Sequence, residues 1–146
     1  MPLHLLRLAS LSLPVGAFSY SRGLEAAVAA RIVVDEASAC EWILGTLEHT
    51  YAVLDGALFW RMTCALKHDD SERFLALDAW LAAGRESREL ALEDTRMGEA
   101  LLQLLLDLEV PLARRAPGRA VTYPAMFAIA AHHWRIDRKS TRLNSS

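Results

Sequence analysis

The sequence predicts an all-α protein that folds as a single-domain helical bundle. Apolar residues make up 53% of the 146 residues, while glycine and proline are few, which favours a compact folded chain over disorder. Apolar side chains recur at spacings of three and four, as the buried face of a helix requires. No segment shows sustained alternation of apolar and polar residues with β-branched enrichment, so strands are not expected.

The first element is an apolar stretch from Met1 to Ser12. We interpret it as mature sequence because Arg7 interrupts it and no small-residue cleavage pattern follows. The loop 13–25 (LPVGAFSYSRGLE) then combines proline, two glycines and two aromatic residues, so a specific shape is expected. Phe18 and Tyr20 either fill the core between helices or form an exposed aromatic platform for a partner. The residues alone leave both interpretations open.

Asp35 is a suitable N-cap for the next helix. Its apolar residues at helical spacing predict one buried face: Cys40, Ile43, Leu44, Leu47, Tyr51 and Leu54. Asp55 and Gly56 predict a break, followed by a second apolar helix from Ala57 to about Leu66.

Asp70 predicts the N-cap of a third helix, with Phe74, Leu77 and Leu81 as its apolar stripe and Gly84 as its stop. A fourth helix is predicted from about Glu86 to Leu108, ending before Pro111. Its apolar seam consists of Leu90, Met97, Leu101, Leu104 and Leu108.

A loop over 114–118 leads to a last predicted helix from Tyr123 to Trp134. Residues 137–146 (DRKSTRLNSS) abandon the apolar pattern. We interpret them as an artefactual or disordered tail, which leaves residues 1–136 as the domain.

Charge and composition exclude several classes of function. The net charge is −2, and residues 1–136 carry 13 basic and 17 acidic side chains. Without a basic stripe, neither nucleic-acid binding nor a helical transcription regulator is expected. The longest weakly polar run, 120–131, is too short to span a membrane. Cys40 and Cys64 are the only cysteines, which fits reduced thiols in the cytoplasm.

The usual signatures of catalysis and metal binding are missing from the sequence. Gly16 and Gly23 have the wrong spacing for a phosphate-binding loop, and Leu24 stands where that loop needs lysine. His132 and His133 are adjacent, which turns them about 100° apart on a helix. We therefore predict no catalytic and no metal-binding residues. The alternative is a small all-α metal-binding or enzymatic domain, with its site among Glu25, His49, Glu93, Asp94 and His132.

The segment 85–98 (RESRELALEDTRMG) mixes charges of both signs. Its simplest interpretation is a solvated helix face, but Asp94 falls on the apolar seam between Leu90 and Met97. A carboxylate there costs free energy unless it is paired or lies at a surface that another protein covers. We therefore predict a partner-binding surface from this helix and the loop: Pro14, Gly16, Phe18, Ser19, Tyr20, Gly23, Glu25, Arg85, Glu86, Glu89, Glu93, Asp94, Met97 and Gly98.

Both segments resemble the UreF family of urease accessory proteins. Residues 8–25 (LASLSLPVGAFSYSRGLE) are similar to the family's N-terminal signature, 85–102 (RESRELALEDTRMGEALL) to its central charged helix, and 123–136 (YPAMFAIAAHHWRI) to a later segment. The resemblance implies an all-α, homodimeric, non-catalytic cytoplasmic protein. Such proteins bridge UreD (also called UreH) and the GTPase UreG for nickel insertion into apo-urease. It also implies that nickel and GTP are handled by these partners, and that this chain needs no cofactor.

Two departures from the family stand out. Leu11 occupies a position where the family usually has proline, and the family continues past Ile136 where this chain has its polar tail. We therefore expect the domain to be incomplete at its C-terminus, and the chain as written to aggregate and to activate urease poorly.

Overall fold

The computed structural model describes residues 3–10, 12–17, 20–21, 23–115 and 121–136. Phe18, Ser19, part of the predicted loop 114–118 and the tail 137–146 lie outside these residues. The all-α prediction is confirmed, because the described residues contain helices and turns but no strand. The α-helices are α1 (Leu3–Leu8), α2 (Leu24–Ala29), α3 (Glu36–Thr46), α4 (Gly56–Lys67), α5 (Ser71–Ala83), α6 (Arg88–Asp107) and α7 (Tyr123–His133). A π-helix (Leu47–Asp55) and a 3-10 turn (Ala113–Arg115) complete the elements.

The core lies where α4 packs against α5 and α7, and where α6 packs against α7. Helix α7 is central, since six of its eleven residues are buried. The apolar stripe predicted for α5 is buried, which confirms that assignment. The largest fully buried apolar side chains come from α4, α5, α6, the turn that follows α6, and α7: Met62, Leu81, Leu101, Leu105, Val110 and Met126.

Side-chain caps set the start of four helices. The Asp35 carboxylate accepts from the Ser38 amide, and the Ser38 hydroxyl oxygen accepts from the Asp35 amide, which forms a capping box. Asp70 caps α5 as predicted by accepting from the Arg73 amide. Ser87 and Thr122 cap α6 and α7 in the same way. None of the described helices is both long enough and apolar enough to cross a membrane.

The predicted break at Asp55 and Gly56 is wrong. Both residues have right-handed helical dihedral angles, so α3, the π-helix and α4 form one continuous helix. The Gly56 amide donates to the Tyr51 carbonyl, and a Cβ at residue 56 would lie 3.3 Å from that oxygen. Glycine therefore permits the wide π turn instead of ending the helix.

The buried face predicted for α3 is also wrong. None of the residues of α3 is buried, and Cys40, Ile43, Leu44 and Leu47 are exposed. Tyr51 and Leu54 are half-buried. Helical spacing shows that an apolar face exists, but only the packing of other elements decides whether that face is covered. Leu108, predicted on the buried seam of the fourth helix, follows the last residue of α6 and is about half exposed.

A candidate interaction site formed by the N-terminal loop and helix α6

The two glycines of the loop have a conformational role. Gly16 has φ +70° and Gly23 has φ +85°, both in the left-handed region that favours glycine. Gly23 is the N-cap of α2, and among the described residues no side chain caps that helix. Tyr20, which lies between the two glycines in the sequence, is half-buried, while Pro14 and Glu25 are exposed.

Arg85 is the centre of a buried ionic cluster. Its Nη1 and Nη2 donate to the two carboxylate oxygens of Asp55, at 3.1 and 2.8 Å. Its Nε donates to Asp94 Oδ2 at 3.0 Å, and its Nη2 lies 2.8 Å from the same oxygen. Burial alone would lower the pKa of Arg85, but the two carboxylates outweigh burial and hold this pKa above its ordinary value. The cluster ties the end of the π-helix to α6.

Asp94, predicted to lie at a partner-binding surface, is buried in this cluster. Its side chain is only 3% exposed and is paired with Arg85 within the same chain. The carboxylate on the apolar seam therefore does not need a partner protein to cover it. Pairing is one way to tolerate such a group, and Arg85 pairs with both Asp94 and Asp55. The local sequence around Asp55 predicts a helix break and does not indicate its pairing with Arg85.

Two carboxylates hold the first turn of α7. Asp94 Oδ1 accepts from the Tyr123 amide at 3.2 Å. Asp78 Oδ1 accepts from the Thr122 amide at 3.2 Å and from the Thr122 hydroxyl at 2.7 Å. Negative charge at the N-terminus of a helix complements the helix dipole. Desolvation raises the pKa of Asp78 above its ordinary value, although the bonds from Thr122 act in the opposite direction.

Gly98 lets α7 approach α6 closely. A Cβ built on Gly98 would overlap the Val121 carbonyl oxygen and would lie 3.0 Å from the Thr122 carbonyl carbon. Any larger residue would therefore separate the two helices beside the ionic cluster. Met97 is buried as well, so Met97 and Gly98 contribute to packing within the chain.

An apolar groove of about 420 Å³ lies beside the cluster. The loop contributes Tyr20, and α6 contributes Asp94 and Met97, so both segments predicted from the sequence meet there. The remaining lining residues come from the loop, the π-helix, α4 and α7: Ala17, Tyr51, Asp55, Gly56, Phe59, Tyr123, Pro124 and Phe127. The Phe127 ring packs near the rings of Phe59 and Tyr123, with centroids 5.9 Å apart in each pair. A groove with these walls suits the apolar side chain of a ligand or partner.

The other predicted partner residues differ in their exposure to solvent. Glu86 and Glu89 are exposed at the start of α6, and Glu93 is half-buried. Sequence reasoning missed Asp55, Asp78 and Phe127. The available signal for Asp78 was its place on the apolar stripe of α5, four residues after Phe74.

The residues of the alternative metal-binding site do not converge. Among the described residues, no group of three or more His, Cys, Asp or Glu side chains is placed to hold a metal ion. In the described part of the chain, Glu25, His49, Glu93, Asp94 and His132 therefore do not form a metal site with three or more ligands.

Comparison with known proteins gives one consistent family. The UreF family model matches residues 33–143. Urease accessory protein UreF 2 of Brucella anthropi is 59% identical over 136 residues, covering 92% of this chain and 60% of that protein. The UreF protein of Ralstonia pickettii is 41% identical over 137 residues, covering 91% of this chain and 59% of that protein. For the UreF protein of Nostoc sp., the identity is 37% over 144 residues, with coverage of 97% and 62%. The chain thus spans about 60% of the length of these relatives.

Proposed function

Since the chain belongs to the UreF family of urease accessory proteins, we propose that it is a non-catalytic scaffold for urease maturation. In this proposal it bridges UreD (UreH) and the GTPase UreG in the cytoplasm while nickel is inserted into apo-urease. Nickel and GTP are handled by those partners, and the chain itself needs no cofactor. Homodimer formation, which the family resemblance implies, belongs to the same proposal.

One observation supports this scaffold role most strongly. The loop and α6 meet at an apolar groove whose eleven lining residues include five aromatic ones. Rigid aromatic walls bind an apolar anchor of a partner at low entropic cost. Catalysis instead requires polar groups that can exchange protons or bind reacting atoms. In this groove Asp55 and Asp94 are engaged by Arg85.

A scaffold of this kind influences nickel delivery through binding energy alone. It must bind one nucleotide state of UreG more tightly than another, because only a difference in affinity couples nucleotide state to metal release. The proposal therefore requires that UreG affinity for the chain depend on the bound nucleotide.

The test measures the affinities of the chain for UreD and for UreG by isothermal titration calorimetry, with GTP or GDP present. Tyr20→Ala removes an aromatic wall of the groove, and Tyr20→Phe is the matched control that keeps the ring. We expect Tyr20→Ala to lower the affinity for one of the two partners by about tenfold or more. The affinities of Tyr20→Phe should stay close to those of the wild type. No binding of either partner, or binding of nickel by the chain with micromolar affinity, would contradict the scaffold proposal.

A further inference from the structure

The outer face of α3 carries exposed apolar side chains that do not line the groove. Ile43, Leu44 and Leu47 are 48%, 50% and 48% exposed, respectively. Cys40 precedes Ile43 by three positions and Leu44 by four, so these four side chains share one face of the helix. The Leu47 amide donates to the Ile43 carbonyl, which shows that the α-helical register extends to Leu47.

The opposite face of α3 is already in use. Trp42 and Thr46 are half-buried and line a cleft together with Arg85. The Thr46 hydroxyl donates to the Trp42 carbonyl at 2.8 Å. Rotating α3 to bury its outer face would therefore expose Trp42, so the outer face stays available to another molecule.

The charges beside this stripe have a single sign. Glu36 lies four residues before Cys40, while Glu41 and Glu48 flank Leu44 at three and four residues. All three glutamates are exposed. The sequence from Glu36 to Asp55 contains no lysine or arginine. The apolar stripe is thus bordered by negative charge, with no lysine or arginine on the same continuous helix before Gly56.

We propose that this surface, made of Cys40, Ile43, Leu44 and Leu47 with Glu36, Glu41 and Glu48, docks a basic amphipathic segment of another protein. Such a segment buries apolar side chains on the stripe and places lysine or arginine beside the glutamates. A second copy of this chain is the poorer occupant because glutamates would face glutamates. Anionic membranes and nucleic acid are repelled for the same reason. The inference is independent of the scaffold role proposed above.

Cys40 provides a native probe of the surface. The full chain is titrated with a synthetic helical peptide that has leucines on one face and lysines beside them, and with a matched peptide in which glutamates replace the lysines. Affinity is measured by calorimetry, and maleimide modification of each cysteine is followed by peptide mass spectrometry. The lysine peptide is expected to bind at least about tenfold more tightly than the glutamate peptide and to slow modification of Cys40. The half-buried Cys64 serves as the internal reference.

Paired variants locate the binding. Ile43→Ser/Leu47→Ser is expected to lower the affinity for the lysine peptide by about tenfold or more. Glu41→Lys/Glu48→Lys is expected to abolish the preference for the lysine peptide over the glutamate peptide. The matched control Glu72→Lys/Leu75→Ser changes the same residue types at exposed positions of α5 and should leave the affinity unchanged. Far-UV circular dichroism checks that each variant is folded.

Four results would overturn this inference. The two peptides binding equally well would remove the charge preference, and an equal loss in the α5 control would show non-specific attraction. Protection of Cys40 that rises with the concentration of the chain alone would assign the surface to a second copy. Protection by vesicles of phosphatidylserine would assign it to a membrane.

Discussion

Removal of Arg85 should strongly destabilise the chain. The side chains of Arg85, Asp55 and Asp94 are 6%, 12% and 3% exposed, respectively. Water therefore cannot replace the missing positive charge. Breaking a buried ion pair by removing one partner costs about 3 to 5 kcal/mol, against a total stability of about 5 to 15 kcal/mol for an ordinary domain. For a chain of this size, such a loss lowers the melting temperature by roughly 10 to 20 °C.

The assay is urea denaturation of Arg85→Met followed by far-UV circular dichroism. Arg96→Met is the matched control, because Arg96 is exposed on α6, the helix that carries Asp94, and its loss should stay within about 0.5 kcal/mol. Adding Asp55→Asn to Arg85→Met should recover part of the stability by removing one uncompensated buried charge. Equal free energies of unfolding for Arg85→Met and Arg96→Met would refute the reasoning.

Three further predictions follow from the packing, the titration and the length of the chain. Gly98→Ala should lose about 1 to 3 kcal/mol of stability, because it separates α6 from α7. Gly45→Ala should gain about 0.5 to 1 kcal/mol, because the space around residue 45 is open. Thermal unfolding of both variants checks this contrast, and equal shifts in melting temperature would contradict it. The raised pKa of Asp78 means that its stabilising contribution is complete below the unfolded pKa and is lost as the pH rises through the folded pKa. The stability of Asp78→Asn relative to the wild type should therefore improve from about pH 4 toward neutral pH, and parallel pH profiles of unfolding would count against this. In an apo-urease activation assay with UreD, UreG, GTP and nickel, the chain should be less active than the full-length Brucella anthropi relative, because it spans about 60% of that protein's length; equal activation would show that this expectation is wrong.

Local signals in the sequence predicted the fold class and several helix starts. Asp35 and Asp70 cap their helices through contacts three residues away, which is why their positions were readable from the sequence. Helix ends were harder to predict. Arg31, Asp69, Glu109 and Arg135 all have positive φ just after a helix, at positions where glycine would have been the usual signal.

Long-range contacts explain what the sequence did not predict. Asp55 lies inside a continuous helix, and its carboxylate binds Arg85, thirty positions later. The stripe on α3 has the spacing of a buried face, but no described helix covers it. At the candidate site, Tyr20 and α6 line the same groove, which agrees with the prediction that loop 13–25 and segment 85–98 form one surface. The partner contacts assigned to their residues remain predictions.

The measurement that tests the scaffold role most directly is size-exclusion chromatography of UreD and UreG with and without the chain. If the chain is a scaffold, UreG elutes together with UreD only when the chain is present, and Tyr20→Ala reduces this shared peak while Tyr20→Phe preserves it. Elution of UreG apart from UreD in the presence of the folded wild-type chain would contradict the proposed scaffold role.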